Sequence, residues 1–267
     1  MNDQQVGEYW NNNAEAWTEL SRAGYDVYRD HLNTPAFMRI LPDVSGLKGL
    51  DIGCGEGHNT RLLKQQGAQM TGIDIAEKFV QQAQAMEAAA PDAIVYHAGS
   101  ASALPFADGS FDFATSVMCL MDVPDPDTAL KEAYRVLQPG GFLQFSITHP
   151  CFATPHRKNL RNLFRKTYAI EVGDYFKKLN GKIEEWIFGA APAEAKQKFA
   201  RFRIPLFNRT LSEWMNALID TGFVIERMGE PYPDDDTVKR HPELQDAQVV
   251  AYFMHIRCRK PLAGMPL

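Results

Sequence analysis

The residues best placed to do chemistry in this chain are three glycines and the acids beside them. The stretch Leu50-Asp51-Ile52-Gly53-Cys54-Gly55-Glu56-Gly57-His58 follows an apolar run that begins at residue 44. A helix-like run at 59–66 comes at once after it. Strand, tight glycine turn and helix is the order that brings backbone amides up to a phosphate or a nucleotide. The spacing is G-x-G-x-G; a dinucleotide fingerprint would place its third glycine one residue later. Glycine suits such a loop because it reaches positive φ freely and lets a ligand approach the backbone without a Cβ in the way. Asp51 stands two residues before the first glycine, where its carboxylate would face a ligand from the strand's carboxyl end. Asp74 closes the next strand-like run, Gln69-Met70-Thr71-Gly72-Ile73-Asp74-Ile75. The bland alternatives are a simple tight turn and a solvated strand-end acid.

A second set of candidates lies further along. His149-Pro150-Cys151 follows an apolar run at 141–147. In an open α/β sheet the ligand crevice lies beyond the carboxyl ends of the strands. His149 therefore has the address of a general base, and imidazole titrates near neutral pH. The alternative is a histidine that holds a turn by hydrogen bonds. Asp122 and Asp125 sit on the loop after another strand-like run at 112–117; either could face a substrate, but an Asp before Pro is most often a turn or cap residue. The stripe Val117, Met118, Leu120, Met121 reads as core or pocket wall. Cys151 reads as a packed thiol.

The elements that must position these groups follow from periodicity. Short apolar runs at 47–52, 69–74, 93–97, 112–117 and 141–147 alternate with helical runs at 59–66, 76–89 and 126–137. Such alternation predicts a mostly parallel sheet with right-handed crossovers, a doubly wound α/β fold. Residues 1–40 are polar and rich in aromatics and read as helices preceding that core. Residues 151–207 break the alternation and read as an inserted cap. Within them Arg157, Arg161 and Arg165 at i, i+4 and i+8 predict one face of a helix. Asn180-Gly181, between strand-like runs at 174–179 and 182–188, predicts a hairpin turn. Thr210 and Glu213 predict a capping box for a helix at 211–221, ended by Gly222. The final runs, 223–228 and 248–257, have no helix between them and predict an antiparallel closing pair.

Composition narrows the function. The chain has 267 residues, a formal net charge of −5, 45% hydrophobic and 23% charged residues. That suits one α/β core with an insertion. A net acidic chain lacks the basic footprint of a duplex binder, so no nucleic acid is expected as substrate. No apolar run approaches the roughly 18 residues of a membrane helix, so no membrane involvement is expected. No signal peptide is visible at the N-terminus. The four cysteines are scattered, which predicts neither a metal site nor disulfides and points to a reducing, cytoplasmic compartment. Nothing here speaks to oligomeric state.

The glycine loop resembles motif I of the class I S-adenosylmethionine-dependent methyltransferases. The resemblance continues in order. The run ending at Asp74 resembles the family's second strand. Gly99-Ser100-Ala101-Ser102-Ala103-Leu104-Pro105-Phe106 resembles its third motif, Ser110-Phe111-Asp112-Phe113-Ala114-Thr115-Ser116 its fourth strand, and Tyr134-Arg135-Val136-Leu137-Gln138-Pro139-Gly140-Gly141 the turn into its fifth. These motifs cover about 45–150, with a weaker echo at 208–230, and they are those of the type 11-like, small-molecule branch.

The resemblance implies a Rossmann-like sheet, mostly parallel with an antiparallel last strand. It implies S-adenosyl-L-methionine as cofactor, S-adenosyl-L-homocysteine as product and direct in-line methyl transfer to a small-molecule acceptor. The backbone of Gly53, Cys54 and Gly55 would approach the cofactor's methionine and ribose. Asp74 would accept from the ribose hydroxyls, and Ile75 would lie against adenine. Ser100, where the family often has Asp, and the Ala101 amide would meet the adenine edge. Met118 would border the methionine end. The N-terminal segment would fold over the cofactor, with Tyr28 and Arg29 near its carboxylate. The expected organisation is an N-terminal cover at 1–40, a core at 41–150 and 208–260, and a specificity cap at 151–207. Two other readings compete: a nicotinamide-dependent oxidoreductase, against which the glycine spacing counts, and a cofactor-binding protein without turnover. The absence of Asn-Pro-Pro-Tyr after strand four counts against an amino-methylating nucleic-acid enzyme.

Overall fold

A computed structural model describes residues 1–89, 92–262 and 264. Eight α-helices and eleven strands are seen in the described residues. The helices are α1 Asp3–Arg22, α2 Thr34–Ile40, α3 His58–Gln65, α4 Glu77–Ala89, α5 Pro126–Val136, α6 Ala193–Lys198, α7 Leu211–Thr221 and α8 Asp235–Arg240. The strands are β1 Lys48–Ile52, β2 Gln69–Asp74, β3 Val95–Ala98, β4 Phe111–Val117, β5 Leu137–Thr148, β6 His156–Arg161, β7 Thr167–Gly173, β8 Lys182–Trp186, β9 Phe202–Leu206, β10 Val224–Gly229 and β11 Phe253–Arg259.

Seven strands form one sheet in the order β10-β11-β5-β4-β1-β2-β3. β5, β4, β1, β2 and β3 are parallel, while β11 runs antiparallel to both β5 and β10. The central strands are buried on both faces, which is why they read as nearly continuous apolar runs. The chain reverses its winding between β1 and β4, and the carboxyl ends of these two strands open a crevice at that switch point. Helix α7 has the predicted capping box, with the Thr210 hydroxyl accepting from the Glu213 amide and Gly222 closing the helix at φ 96°.

The last two strands pair antiparallel as expected, but α8 and a 3-10 turn at Pro242–Gln248 lie between them where no helix was expected. The acidic cap and Pro242 there favour short helical turns. Two further local expectations fail. Arg157, Arg161 and Arg165 do not share a helix. Residues 156–161 form β6, paired antiparallel with β7. The period-four arginine spacing was matched by chance, and the β-branched residues of 167–173 supplied a partner strand that outweighed it. The second concerns Asn180-Gly181. Both residues have positive φ, 49° and 86°, and the Lys182 amide donates to the Leu179 carbonyl. The turn therefore forms as its residues require. Yet 174–179 is not a strand, and β8 pairs instead with β9, across the intervening α6. Cross-chain aromatic packing selects that pairing: Trp186, Phe188 and Phe202 gather on Trp17 of α1, with Trp17–Phe188 and Trp17–Phe202 centroids 4.9 and 4.8 Å apart.

This aromatic cluster joins the N-terminal helix to the 151–207 segment on the far side of the crevice from the sheet's edge. Asn13 strengthens the joint by exchanging two hydrogen bonds of 3.0 Å with the backbone of Arg203. Phe202→Ala is expected to lose about 3–5 kcal/mol, the usual result of truncating a buried ring. Denaturant unfolding checks this. A loss within 1 kcal/mol would mean the two covers are not packed together.

Candidate functional site

The crevice is a cavity of about 980 Å³. Its floor is the loop after β1. Gly53, Gly55 and Gly57 have φ of 73°, 54° and 85°. At Gly53 a Cβ would lie 2.2 Å from the Cys119 sulfur, so no other residue fits between β1 and β4. At Gly55 a Cβ would meet nothing within 4 Å, so the backbone there is bare toward the cavity. The amides of Gly53 and Cys54 both donate to the Ile73 carbonyl, at 2.8 and 3.0 Å, which ties the loop to β2.

Asp74 ends β2 at the cavity wall. Its carboxylate accepts from the Gly55 amide and the Ala76 amide, both at 2.8 Å. Burial raises its pKa to about 6, against the lowering effect of those two amides. Ile75, Gly99, Ser100 and Ala101 continue the wall, and Val6 and Trp10 of α1 face them. Ser100 donates to the carboxylate of Asp3 and accepts from the Ser102 amide at 3.0 Å. A carboxylate thus stands beside Ser100 after all, delivered by the N-terminal helix.

At the other end, Met118 leaves β4 with φ 56°, an uncommon conformation for a side-chain-bearing residue. It aims the following turn, Leu120–Asp122, across the crevice. Arg29 lies on the wall at the start of a π-helical turn, Arg29–Asn33. Its guanidinium holds Asp30 at 2.7 Å and the Ser21 carbonyl at 3.1 Å, while Nη1 makes no hydrogen bond to the described residues. Tyr28 presents its ring to the cavity and stacks near Tyr252, 4.6 Å between centroids. Its hydroxyl donates to Asp246, and burial together with that carboxylate pushes its pKa up. Glu56, in the glycine loop, is buried. One of its oxygens accepts from Arg22 and Arg61 at 2.8 and 2.9 Å, and the other, Oε1, has no partner.

Comparison with known proteins decides what this arrangement is. Residues 50–145 match the family described as "Methyltransferase domain". A demethylmenaquinone methyltransferase of Staphylococcus aureus strain JH9 is 32% identical over 197 residues, covering 71% of this chain and 74% of that protein. The one from strain MRSA252 is 34% identical over 176 residues, covering 64% and 66%. The chain thus spans about two thirds to three quarters of these curated relatives. An S-adenosylmethionine-dependent methyltransferase structure from Mesorhizobium loti superposes with a TM-score of 0.68 at 29% identity, over 84% of this chain and 96% of that one. The chain belongs to the class I S-adenosylmethionine-dependent methyltransferases.

The cavity fits the methyltransferase cofactor. The bare backbone at Gly55 would admit a close-approaching chain, and the Asp74 carboxylate keeps acceptor capacity that would suit a diol. Of the residues expected at the site, Tyr28, Arg29, Gly53, Cys54, Gly55, Asp74, Ile75, Ser100, Ala101 and Met118 line this one cavity.

Two expected residues do not reach it. Asp51 is buried beneath the loop, accepting from the hydroxyls of Thr60 at 2.6 Å and Thr115 at 2.9 Å. Its carboxylate cross-links α3 to β4 and faces no ligand. His149 lies off the cavity. Its Nδ1 accepts from the Cys151 amide at 3.2 Å, and its Nε2 faces Glu230 at 2.9 Å. With Nδ1 an acceptor, Nε2 carries the proton and no lone pair is left for a base. The ring braces the turn out of β5, because the peptide after Thr148 curls back toward it.

Of the two loop acids Asp122 and Asp125, it is Asp122 that meets the cavity. It is buried, lines the wall beside Met118 and Met121, and makes no side-chain hydrogen bond to the described residues. Burial pushes its pKa up to about 8. Asp125, by contrast, caps α5 by accepting from Thr128. The one available signal was the contrast between these two: only Asp125 precedes a Pro-initiated helix. Asp3 was missed because its position depends on the folding of α1, and Glu56 because its burial depends on Arg22 of that helix as well as on the nearby Arg61.

His149→Ala should therefore cost about 1–3 kcal/mol of stability, the penalty for an unsatisfied amide and a lost bridge. Turnover per folded molecule should stay near wild type. Parallel denaturation and kinetics check this; a hundredfold fall in kcat with unchanged stability would restore His149 as the base.

Proposed function

We propose that this enzyme methylates an apolar, largely aromatic small molecule at an atom that first gives up a proton, and that Asp122 receives that proton. One observation carries the reading: a buried carboxyl without a partner stands on the wall of the cavity where the sheet ends meet the 151–207 segment. A carboxylate left unpartnered in a buried place is costly, and such groups concentrate where a ligand supplies the missing partner. Ile204, Leu206, Phe207, Trp186 and Phe188 line the cavity on the side of that segment, and support an acceptor that is flat and apolar. The relatives named for demethylmenaquinone are consistent with such an acceptor.

S-adenosylmethionine, when bound, supplies a methyl group on a cationic sulfur that leaves as a neutral thioether. The chain's own residues do the rest. Asp74 accepts from the ribose hydroxyls and sets the cofactor's depth. Asp3 and Ser100 present acceptors to the adenine amino group, with Ile75 and Trp10 against the ring. Arg29 Nη1 holds the carboxylate of the methionine part. Asp122 takes the proton from the acceptor, whose electron pair then forms the new bond to carbon. The N-terminal helix and the 151–207 segment exclude water. Positioning supplies most of the rate in a displacement of this kind.

Asp122→Asn is expected to lower kcat by roughly 10²–10⁴, the range for loss of a general base, with the cofactor Kd unchanged. The wild-type rate should climb as pH rises through about 8, where Asp122 ionises, and the variant's should not. Labelled-methyl assays against hydroxylated quinols and phenols, with calorimetry for the cofactor, test this. A variant as active as wild type across the pH range would refute it.

Asp74 gives a prediction of opposite sign for binding. Its carboxylate must be ionised to accept two hydroxyls, so cofactor affinity should fall as pH drops below about 6. Asp74→Asn should weaken binding by about 1.5–3 kcal/mol, the worth of hydrogen bonds to a charged group, and make it insensitive to pH in that range. Calorimetric titrations at pH 5 and 7.5 read both effects; equal affinities for the wild type at the two values would count against the assignment.

A further inference from the structure

We propose that the tip of the β6–β7 hairpin is a docking surface for an anionic lipid bilayer. All six tip residues, 161–166, are exposed. At the apex Leu163 is 99% exposed and Phe164 is 90% exposed. Isolated exposed apolar side chains are ordinary on any protein. Two large ones side by side at a protruding apex, surrounded by cations, are not. Arg161, Arg165 and Lys166 flank them, and none of the three enters an ion pair among the described residues. The stretch 156–166 holds five Lys and Arg and no acid, in a chain whose net charge is −5. The charge is thus concentrated against the overall sign, beside the two most exposed large apolar side chains among the described residues.

The tip is held in shape. Asn162 Oδ1 accepts from the Phe164 and Lys166 amides, both at 3.0 Å. The Asn162 amide donates to the Lys166 carbonyl at 3.0 Å, and the Arg165 amide to the Asn162 carbonyl at 2.9 Å. Arg165 adopts φ 62°, a conformation in which glycine or asparagine is far more common. A cation is kept there at the expense of easier backbone chemistry. These bonds tie up the turn's polar backbone, which a segment entering the headgroup layer requires.

The base is equally fixed. The Thr167 amide donates to Gln245 Oε1 at 2.8 Å, and Gln245 Nε2 returns a bond of 2.9 Å to the Thr167 carbonyl. Arg157 and Asn159 both donate to Asp246, at 3.3 and 3.2 Å. A rigid strut with an apolar, cationic end is the chemistry of a protein that lies on a membrane: the apolar side chains enter the acyl boundary while the cations meet anionic headgroups. Among the described residues no helix is long and apolar enough to cross a membrane; surface docking needs none, and it departs from the expectation of no membrane involvement. Arg157, near the base, lines the cavity. At about 3.3 Å per residue the apex lies roughly 20 Å from it along the strand, so docking would hold the cavity at a set height above the bilayer.

The test is co-sedimentation of the full chain with vesicles of equal parts phosphatidylcholine and phosphatidylglycerol, and with vesicles of phosphatidylcholine alone. The wild type should bind the first, bind the second far less, and release as salt is raised. Each of Arg161→Glu, Arg165→Glu and Lys166→Glu should lower partitioning by at least about fivefold, the contribution of one cation near such a surface. Leu163→Ser with Phe164→Ser should lower it by at least tenfold at constant charge. Phe164→Trp should bind and be quenched by brominated acyl chains, a positive signal that no misfolded variant would give. Cofactor affinity, measured in the same variants, should be unchanged, which separates this proposal from the reading of the cavity. No binding of the wild type to the mixed vesicles would overturn it. So would undiminished binding by the tip variants, tip variants that instead lower the mass in solution, or tip-dependent binding of nucleic acid.

Discussion

The closeness of β1 and β4 at their carboxyl ends is the constraint on which the rest of the molecule depends. Only a glycine lets the chain turn at 53, because the Cys119 sulfur occupies the space a Cβ would need. Asp51 locks the same place from below, its two oxygens held by Thr60 of α3 and Thr115 of β4. Truncating either hydroxyl would leave a buried carboxylate short of a donor. Loop, helix and strand are thereby fixed to one another before any ligand arrives. From this anchor β4 runs on into the strained Met118 and throws the Leu120–Asp122 turn over the crevice. The apparent cofactor-facing acid of the motif is a structural one, and the geometry it enforces is what gives Asp122 its position.

What could be read from the chain alone follows the range of the interactions involved. The sheet, its order of helices and strands, the glycine loop and the Asp74 strand end are local patterns. Their periodicity is set by burial on both faces of the central strands, and they were legible. The 151–207 segment was legible only as a departure from the pattern. Its arginine spacing suggested a helix, but exposed residues carry little burial signal in either period, and the pairing with 167–173 is a long-range choice. Asn180-Gly181 correctly marked a turn, since both residues must take positive φ, but a turn does not name its second strand. β8 instead found β9 because Trp186 and Phe202 both pack on Trp17. His149 was at the right strand end with its ring turned the wrong way, a matter of two hydrogen bonds that no spacing encodes.

Electrostatics tie stability to use. Asp26, Asp51, Asp74 and Asp122 are all raised by burial, to about 6, 6, 6 and 8. For a carboxyl raised on folding, the stabilisation is complete below its unfolded value near 4 and is lost as pH climbs through the folded one. The folded chain therefore becomes less favourable between about pH 4 and 8 as these buried acids ionise. A cationic sulfur and amino group placed among them reverse that trend, since a nearby positive charge favours the ionised form. Asp26, Asp74 and Asp122 line the cavity, so these acids, unlike the structural Asp51, would also favour a positively charged ligand there.

The two covers come from the N-terminus and from the internal segment 151–207. A sheet edge and its loops can hold one face of a nucleoside, but the opposite face needs residues that arrive after the core exists. Ser100 lies at the end of the third strand, where a neutral hydroxyl alone would hold an amino group weakly. Helix α1 brings Asp3 to that hydroxyl, and with it Val6 and Trp10 over Ile75. An acid in the loop after β3 would place its charge permanently in the crevice; an acid on α1 places it there only when the helix is seated. Seating of α1 depends in turn on the Trp17 cluster and on Asn13, both of which join it to the 151–207 segment. The Ser100 end and the Asp122 end of the cavity are therefore closed by one connected body, so a change in either cover must be felt at both.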